Sequence, residues 1–508
     1  MTGGLMQLVA YGAQDIYLTG NPMITYFKVV YRRHTNFAME SISQVFSGNP
    51  DFGQRVSALI SRNGDLVSGM VLEATLPALV DNANVYCRWI DNVGHYLLNT
   101  VTVEIGGQQI DQHFGDWLEI WYQLTIPAGQ KTGYLQMIGQ DPKDALGQPT
   151  GLQNPGSSAA ETGRKIYVPL QFWFCRNVGL ALPLIALQYH EVKVNILFAA
   201  SSALVTKVTP GGAPSLTTGT TATVTADTAA YALGGATLWV DYIYLDTDER
   251  RRFAQVSHEY LIEQLQTTGG SNYSTTGTTS VSVSVDLNFN HPVKELIWNC
   301  VSSTIADATV VNQPNNYTTV AADIRTLPLT NIVPAVAFGT NTNTLIGSTI
   351  ALDYGTLSRV DTTATGLDAG TASSSAINIS SISSAHNFTA PATASAVGVN
   401  PVASAVLQLN GQQRFASRDG TYFNWTQCKN HHTNIPESPG LNVYSFALKP
   451  EDHQPSGSCN FSRIDNARLV LTLAFSAAGA NAGTVRVYAV NYNVLRIMSG
   501  MGGLAYSN

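Results

Sequence analysis

The chain has 508 residues, of which 44% are hydrophobic and 12% are charged, and its formal net charge is −7 at pH 7. This hydrophobic fraction excludes a disordered chain, because disorder requires low hydrophobicity together with high charge. The acidic balance argues against a protein that coats nucleic acid, since such a protein needs a basic face. A single core stops growing at roughly 250–300 residues, so we expect two cores of about 250 residues each. The low charge suits a surface that lies against other protein or carries sugar.

The N-terminus and the cysteines carry no sign of secretion. Gln7, Gln14 and Asp15 interrupt any apolar run near the start, and no basic region precedes it, so no signal peptide is expected. No stretch of about 20 apolar residues is present, so no membrane-spanning helix is expected. The five cysteines are widely spaced and are expected to be reduced thiols packed as small apolar side chains: Cys87, Cys175, Cys300, Cys428 and Cys459.

The first half of the chain is predicted to be an arm followed by strands. Residues 1–26 have few charges and many small or amide side chains, and are expected to form an N-terminal arm. Alternation of apolar and polar residues with a period of two predicts half-buried antiparallel strands at Thr100–Ile105 and Glu191–Ile196, and two further strands are expected at Ser68–Leu76 and Ala236–Tyr244. Between them, Trp117–Leu124 has the spacing of a short helix, and Pro127–Thr162 is a long Gly/Pro-rich segment.

A charge-rich joint, Thr247–Gln255, separates the two halves. Asp246, Asp248 and Glu249 lack the spacing of a calcium-binding EF-hand loop, and Arg250–Arg252 neutralise them at once. We therefore expect an ion-paired linker between two domains. The residues that follow, His258–Leu265, have the spacing of a second short helix.

The second half returns to the strand pattern. Period-two alternation recurs at Ser280–Phe289, Arg468–Leu473 and Thr484–Val490. Residues Ser302–Ala403 form a long insertion rich in Thr, Ser, Asn and Ala, which we interpret as an exposed decoration on a rigid scaffold. Residues 498–508 are Gly-rich and uncharged, and are expected to form a C-terminal tail.

An internal repeat relates the two halves. Residues Val103–Trp121 (VEIGGQQIDQHFGDWLEIW) and Leu407–Trp425 (LQLNGQQRFASRDGTYFNW) align without a gap, so that Trp121 falls on Trp425. The dipeptides Gly106-Gly107 and Asn410-Gly411 predict two-residue hairpin turns, because both residues of each pair can adopt positive φ. Three further pairs of segments match in pattern: Ser68–Leu76 with Val281–Phe289, Glu191–Phe198 with Ala467–Phe475, and Ala236–Tyr244 with Gly483–Tyr492.

The repeat predicts one β domain at residues 27–246 and a second at 256–497, joined by the linker 247–255. A unit of this size with up to eight strands suits a jelly roll, whereas an immunoglobulin-like sandwich is about 100 residues long and a propeller needs at least four copies. The predicted fold is therefore all-β, with two tandem antiparallel jelly-roll sandwiches, long decorated loops and a few short helices.

Signatures of catalysis are mostly missing from the sequence. No GxSxG nucleophile elbow and no P-loop is present. His190-Glu191 and His258-Glu259 each begin an HExxH zinc pattern, but neither is followed by the second His. His431 and His432 are adjacent and on a strand would point to opposite faces, so they could not share a metal. We assign no catalytic residue, no cofactor and no metal ligand.

Modification sites are limited to glycosylation candidates. Among the Asn-x-Ser/Thr sequons, Asn316, Asn378 and Asn387 fall in the insertion and are the candidates for an outward-facing glycan. Such sequons are common by chance in sequence rich in Asn, Ser and Thr.

Several long segments, spread from end to end, resemble major capsid proteins of large icosahedral nucleocytoplasmic double-stranded DNA viruses, above all those that infect algae and other protists. The resemblance rests on Met1–Pro22, Tyr31–Phe37, Gly179–Lys193, Pro455–Asn466 and Tyr492–Gly503. It implies two tandem jelly rolls per chain and homotrimers whose six jelly rolls form a pseudo-hexagonal capsomer. The insertion Ser302–Ala403 has no counterpart in this resemblance.

The resemblance also implies a location and partners. The protein is expected in the outer capsid shell of the virion, after assembly in the host cytoplasm. Neighbouring capsomers and minor capsid and penton proteins are the implied partners, with the internal membrane reached through minor proteins and no direct contact with nucleic acid. The arm and the tail are expected along the inner base of the capsomer, and the insertion on its outer side.

Two other classes of function remain open. One is a sugar-binding, lectin-like jelly roll, which the polar loops containing Tyr317, Tyr354 and Tyr422 permit. The other is a metal-dependent cupin enzyme, which the absence of an HxH ligand pair disfavours.

Overall fold

The computed structural model describes residues 3–24, 27, 29, 31–79, 86–140, 163–209, 223–226, 231–276, 280–303, 314–318, 400–474 and 480–506. Strands dominate these residues, as the period-two alternation predicts. Most of the insertion, including Asn378, Asn387 and Tyr354, lies outside the described residues.

Within the described residues, the first half contains thirteen strands. They are β1 Phe37–Gln44, β2 Phe46–Ser47, β3 Arg55–Leu59, β4 Leu66–Leu76, β5 Tyr86–Trp89, β6 Leu98–Ile105, β7 Gln108–Phe114, β8 Arg164–Pro169, β9 Leu182–Pro183, β10 Val192–Phe198, β11 Val205–Thr209, β12 Thr223–Ala226 and β13 Ala236–Leu245. One sheet has the order β1-β13-β4-β8, with β9 paired to β4, and the facing sheet has the order β2-β3-β10-β6-β7. A small third sheet is β12-β11-β5.

The second half contains the remaining strands. They are β14 His258–Thr267, β15 Ser271–Thr276, β16 Val281–Asp286, β17 Pro292–Ser302, β18 Val402–Leu409, β19 Gln412–Gln413, β20 Arg418–Asp419, β21 Asn442–Ser445, β22 Cys459–Asn460, β23 Ala467–Leu473, β24 Ala480–Met498 and β25 Met501–Leu504. One sheet is built on β14-β24-β17-β21 and the other on β16-β23-β18-β19.

The two halves share one strand order. The path β1-β13-β4-β8 corresponds to β14-β24-β17-β21, and β3-β10-β6-β7 corresponds to β16-β23-β18-β19, with antiparallel pairing throughout. Alternate side chains of each pair of sheets meet in a core, such as Leu72 of β4 and Val194 of β10 in the first half, and Leu296 of β17 and Leu471 of β23 in the second. The predicted all-β fold with two tandem antiparallel jelly rolls is confirmed.

The helices are short; the first two precede β1, and the others lie between strands. They are α1 Gly3–Val9, α2 Ile16–Thr19, α3 Val93–Leu97, α4 Gly115–Thr125, α5 Ala128–Met137, α6 Trp173–Arg176, α7 Ser201–Leu204, α8 Thr247–Gln255 and α9 Gln427–His431. A π-helix, Tyr422–Thr426, precedes α9. The predicted helix at Trp117–Leu124 is confirmed as part of α4. The helix predicted at His258–Leu265 is wrong, because this segment is β14 and pairs along its whole length with β24, which overrides local helix propensity.

The turns of the repeated hairpin agree with the sequence. Gly106 and Gly107 have φ of 59° and 83°, and Asn410 and Gly411 have φ of 51° and 79°. The left-handed conformation at both central residues matches the twist of the flanking strands.

One of the predicted matches between the two halves, Ser68–Leu76 with Val281–Phe289, does not join equivalent strands. Strand β4, which contains Ser68–Leu76, corresponds in sheet order to β17 and not to the strand within Val281–Phe289, which is β16. Nearly every residue of β17 is buried, so this strand lacks the polar alternation by which it could have been recognised.

The charged linker pairs with the first jelly roll. Arg250 Nε in α8 lies 3.0 Å from Asp65 Oδ1, and Asp65 Oδ2 also accepts a hydrogen bond from the backbone of Leu245 at 2.9 Å. The expected ion pairing therefore reaches out of the linker and holds α8 at the end of β13.

Candidate functional site

Helix α4 joins the two jelly rolls through an apolar cluster. Its side chains Trp117, Ile120, Trp121 and Leu124 lie in one buried cluster with four residues on the outer face of the sheet β14-β24-β17-β21: Ile297, Val443, Tyr488 and Val490. The ring centroids of Trp117 and Tyr488 are 6.0 Å apart. Because Leu296 and Trp298 face the core of the second jelly roll while Ile297 faces α4, strand β17 is buried on both faces.

The start of α4 carries the polar part of this contact. Asp116 lies in the first turn and forms an ion pair with Arg486 of β24. Tyr488 Oη also donates to Asp116 Oδ2 at 3.4 Å. A carboxylate at this end of a helix is favoured by the helix dipole, so the ion pair sets how α4 docks on the sheet.

A group of buried charges lies beside α4. Glu263 Oε1 is 2.7 Å from Lys294 Nζ, and Glu263 Oε2 is 3.0 Å from Arg176 Nη1. The guanidinium of Arg176 in turn lies 4.5 Å from the ring centroid of Trp121. Arg176 belongs to the first jelly roll, whereas Glu263 and Lys294 belong to the second. The ion pair of Arg176 and Glu263 therefore joins the two jelly rolls.

Burial and the neighbouring charges shift the pKa values of both Glu263 and Lys294. Burial alone would raise the pKa of Glu263, but Arg176 and Lys294 hold it below its usual value. Burial lowers the pKa of Lys294, an effect that Glu263 opposes. Since Lys294 is 0% exposed, its ammonium group depends on the carboxylate for compensation.

A second buried group of charges surrounds His432, directly after α9. Its Nε2 lies 3.1 Å from Glu295 Oε2, and its Nδ1 lies 3.0 Å from Glu451 Oε1. Burial alone would lower the pKa of His432, but the two carboxylates raise it to about 9. His431 is the last residue of α9, and His432 follows it as a buried residue held between two carboxylates, so neither histidine lies on a strand.

One buried residue of the insertion, Tyr317, also contacts the first jelly roll. Tyr317 is 0% exposed, and its hydroxyl lies 3.2 Å from the hydroxyl of Tyr96 in the first jelly roll. The buried ring is unavailable for stacking on a sugar, which removes one of the aromatic residues on which the lectin-like alternative depended. Tyr422 lies under the guanidinium of Arg418 at 4.4 Å.

Asn316, the glycosylation candidate that lies within the described residues, directly precedes the buried Tyr317. Asn316 is partly buried, and its Oδ1 accepts hydrogen bonds from the backbone and hydroxyl of Thr318, at 3.0 and 2.7 Å. Asn378 and Asn387 lie outside the described residues. Occupancy of the three sequons stays a prediction.

The C-terminal residues fold back onto their own chain. Strand β25 pairs with β24 through a turn in which Ser499 and Gly500 have φ of 52° and 79°. Gly500 O accepts from the backbone of Tyr189 at 3.0 Å, and Gly502 O lies 2.9 Å from His190 Nδ1. The predicted tail thus connects the second jelly roll with a loop of the first.

The N-terminal arm presents apolar side chains to solvent. No residue of α1 or α2 is buried. The exposed large side chains of the arm are Leu5, Met6, Leu8, Val9, Tyr11, Ile16, Tyr17, Leu18, Met23 and Ile24. A run of exposed apolar residues of this size marks a surface that contacts another molecule.

Metal-ligand and membrane features are few within the described ranges. Among these residues, no group of three or more His, Cys, Asp or Glu side chains is placed to hold a metal ion. Cys175, Cys300, Cys428 and Cys459 are free thiols. His258 Nε2 lies 2.8 Å from the carbonyl of Phe253. No helix in the described part of the chain is long and apolar enough to cross a membrane.

The buried charges were not identified from the sequence. Lys294 and Glu295 stand inside an otherwise apolar strand, and this is the one local signal that could have pointed to them. Their partners Glu263 and His432 are distant along the chain, so the pairing requires the tertiary structure.

Family models match almost the whole chain. A model described as the major capsid protein N-terminus matches residues 25–246, and a model described as the large eukaryotic DNA virus major capsid protein matches residues 249–503. The major capsid protein of Phaeocystis pouchetii virus is 49% identical over 545 aligned residues, and that of Paramecium bursaria Chlorella virus 1 is 41% identical over 527, with 100% of both chains covered in each case.

Solved structures share the fold. A chain of the PBCV-1 virus capsid is 35% identical with a TM-score of 0.63, covering 95% of this chain and 100% of the other. The Faustovirus major capsid protein, at 14% identity, has a TM-score of 0.62 and covers 97% of this chain and 96% of the other, so it shows the same fold.

We expect Lys294→Ala to destabilise the protein by about 3–5 kcal/mol, because it leaves Glu263 buried with half of its compensation. Chemical denaturation followed by tryptophan fluorescence measures this loss. Lys193→Ala is the matched control, since Lys193 pairs with Glu191 at 3.4 Å on the surface and its removal should cost well under about 1 kcal/mol. Equal losses in the two variants would contradict the importance of the buried charges.

Stability should also depend on the protonation of His432. Its folded pKa of about 9 lies above the ordinary value of 6.5, so its contribution is full below about pH 6.5 and is lost as pH rises through 9. The loss should reach about 3 kcal/mol. Unfolding free energies measured between pH 6 and pH 9.5 would show this slope in the wild type and a flatter profile in His432→Gln. Parallel profiles would refute the assignment.

Proposed function

Because this chain belongs to the family of major capsid proteins of large eukaryotic DNA viruses, we propose that three copies assemble into a homotrimer whose six jelly rolls form a pseudo-hexagonal capsomer. The protein is a structural component of the icosahedral outer capsid shell of such a virus. The observation that carries the proposal is the shared strand order of the two halves. Three chains with two like units each give six units in one ring, so a three-fold assembly approximates a hexagon.

The proposed role is purely structural, without catalysis, metal or cofactor, and family membership supports it. Assembly takes place in the host cytoplasm. The capsomer contacts neighbouring capsomers and minor capsid and penton proteins, reaches the internal membrane through minor proteins, and makes no direct contact with nucleic acid. The long insertion, apart from the segment anchored by the buried Tyr317, faces outward, away from the shell.

The N-terminal arm is proposed to act between capsomers. It lies along the inner base and buries its apolar side chains against neighbouring capsomers or minor proteins. The support is that the large apolar side chains of α1 and α2 are exposed in the single chain.

The purified protein should have three times the 54.4 kDa mass of one chain. Native mass spectrometry or light scattering after gel filtration gives the mass, and negative-stain electron microscopy should show a hexagonal outline. A stable monomer or dimer across a range of concentrations would rule out the proposed capsomer.

Removal of residues 2–26 should leave the trimer intact and abolish contacts between trimers, because the arm contributes nothing to the cores of the jelly rolls. The measurement is the mass of the variant together with its ability to form ordered arrays or shells beside the wild type. The substitution of Leu18 and Met23 by Ser is a milder variant with the same expected effect, because both side chains are exposed within the arm. Loss of the trimer on removal of the arm would contradict its place between capsomers.

A further inference from the structure

Two tryptophans related by the internal repeat lie in different surroundings. Trp121 in α4 is 8% exposed and packs at the contact between the jelly rolls. Trp425 in the π-helix Tyr422–Thr426 aligns with it and is 60% exposed. A large aromatic side chain on the surface, at a position where its repeat partner is buried in an interface, indicates a contact that the single chain leaves open.

The contact within the chain uses two different surfaces. The first jelly roll contributes a helix after its hairpin, and the second contributes the outer face of a sheet. Because the two halves share one topology, each chain retains an unused copy of both surfaces: the helical segment of the second jelly roll and the outer sheet face of the first. A contact between unlike surfaces can be repeated from chain to chain until a ring closes.

The unused sheet face can be identified from the strand register. Both sheets contain a bulge at the same place, between Asp241 and Tyr242 where β13 pairs with β4, and between Val490 and Asn491 where β24 pairs with β17. Counting from the bulge, the residues that contact α4 in the second jelly roll have direct counterparts in the first: Ile297 corresponds to Val71, Tyr488 to Trp239, and Val443 to Pro169.

These counterparts, Val71, Pro169 and Trp239, form what we call the outer sheet face. All three are partly exposed in the single chain, whereas Ile297, Val443 and Tyr488 are buried by α4. The outer sheet face therefore has apolar side chains at the positions where the second jelly roll receives a helix.

The charges around the two surfaces are complementary. Arg418 and Lys429, which flank Trp425, are exposed and basic. Glu73 and Asp241 border the outer sheet face. Glu73 is already paired with Lys165 at 2.7 Å and accepts a hydrogen bond from Trp239 Nε1 at 2.7 Å, so Asp241, which has no ion pair among the described residues, is the carboxylate that can meet a basic partner. The contact within the chain likewise combines aromatic packing with an ion pair, that of Asp116 and Arg486.

We propose that Trp425 anchors the trimer by packing on the outer sheet face of a second copy of this chain, so that the contact made by α4 within the chain is repeated between chains. Three such contacts close the ring. This inference rests on the proposed homotrimer and names the surfaces that form it.

Two variants, each defective in one surface, test the pairing. W425R removes the anchor and keeps the outer sheet face, whereas V71R blocks the outer sheet face and keeps the anchor. Each alone should be a folded monomer by circular dichroism and native mass spectrometry, with a contact dissociation constant raised by at least about 30-fold. An equimolar mixture at high concentration should form a heterodimer, because one intact contact remains but the ring cannot close.

The control is Tyr506→Arg, which changes an aromatic residue of similar exposure, 63% against 60% for Trp425, outside both surfaces and should leave the trimer intact. A trimeric W425R beside a trimeric wild type would overturn this inference and leave the trimer standing. Two folded monomers that form no heterodimer would overturn the pairing of the surfaces. A wild type that is not trimeric would refute the proposed capsomer itself, and this inference with it.

A second measurement applies if V71R fails to fold. A photo-reactive p-benzoylphenylalanine in place of Trp425 should cross-link, between chains, to peptides of β4, β8 or β13. Cross-links confined to other peptides would overturn the inference.

Discussion

The structure depends on the need to cover both faces of one sheet in each jelly roll. The inner face of β14-β24-β17-β21 packs on its partner sheet, and the outer face carries Ile297, Val443 and Tyr488, which water would otherwise contact. Helix α4 of the first jelly roll covers them. Burial of apolar surface is the dominant favourable contribution to such contacts, so the two domains of one chain are held as neighbours by the same force that builds each core.

Buried charges give this apolar contact its register. Only 12% of the residues are charged, yet Arg176, Glu263 and Lys294 are brought together where the jelly rolls meet. A displacement of one jelly roll against the other would separate these charges in a dry environment, which costs several kcal/mol. Apolar packing alone tolerates sliding, whereas the paired charges and the ring of Trp121 permit a single alignment.

The surfaces that the single chain leaves exposed are the ones available for assembly of the capsomer. In the proposed capsomer, the helical segment around Trp425 and the outer sheet face serve contacts within the trimer, and the N-terminal arm serves contacts between trimers. The C-terminal β25, by contrast, is already engaged with the loop at Tyr189 and His190. In the proposed capsomer, the N-terminal arm therefore contacts neighbouring trimers, whereas the C-terminal β25 contacts the domains of its own chain.

The sequence by itself determined the features that depend on local chemistry. The turns at Gly106-Gly107 and Asn410-Gly411, helix α4 and the alternating strands such as β10 and β23 follow from backbone preference and periodicity. Only the tertiary structure decided that His258–Thr267 is a strand, that β17 is the counterpart of β4, and that Lys294 lies beside Glu263. The physical reason is that burial and pairing depend on the neighbour that packs against a segment: Trp121 and Trp425 align in sequence, but of the two only Trp121 lies in a buried cluster of the described residues.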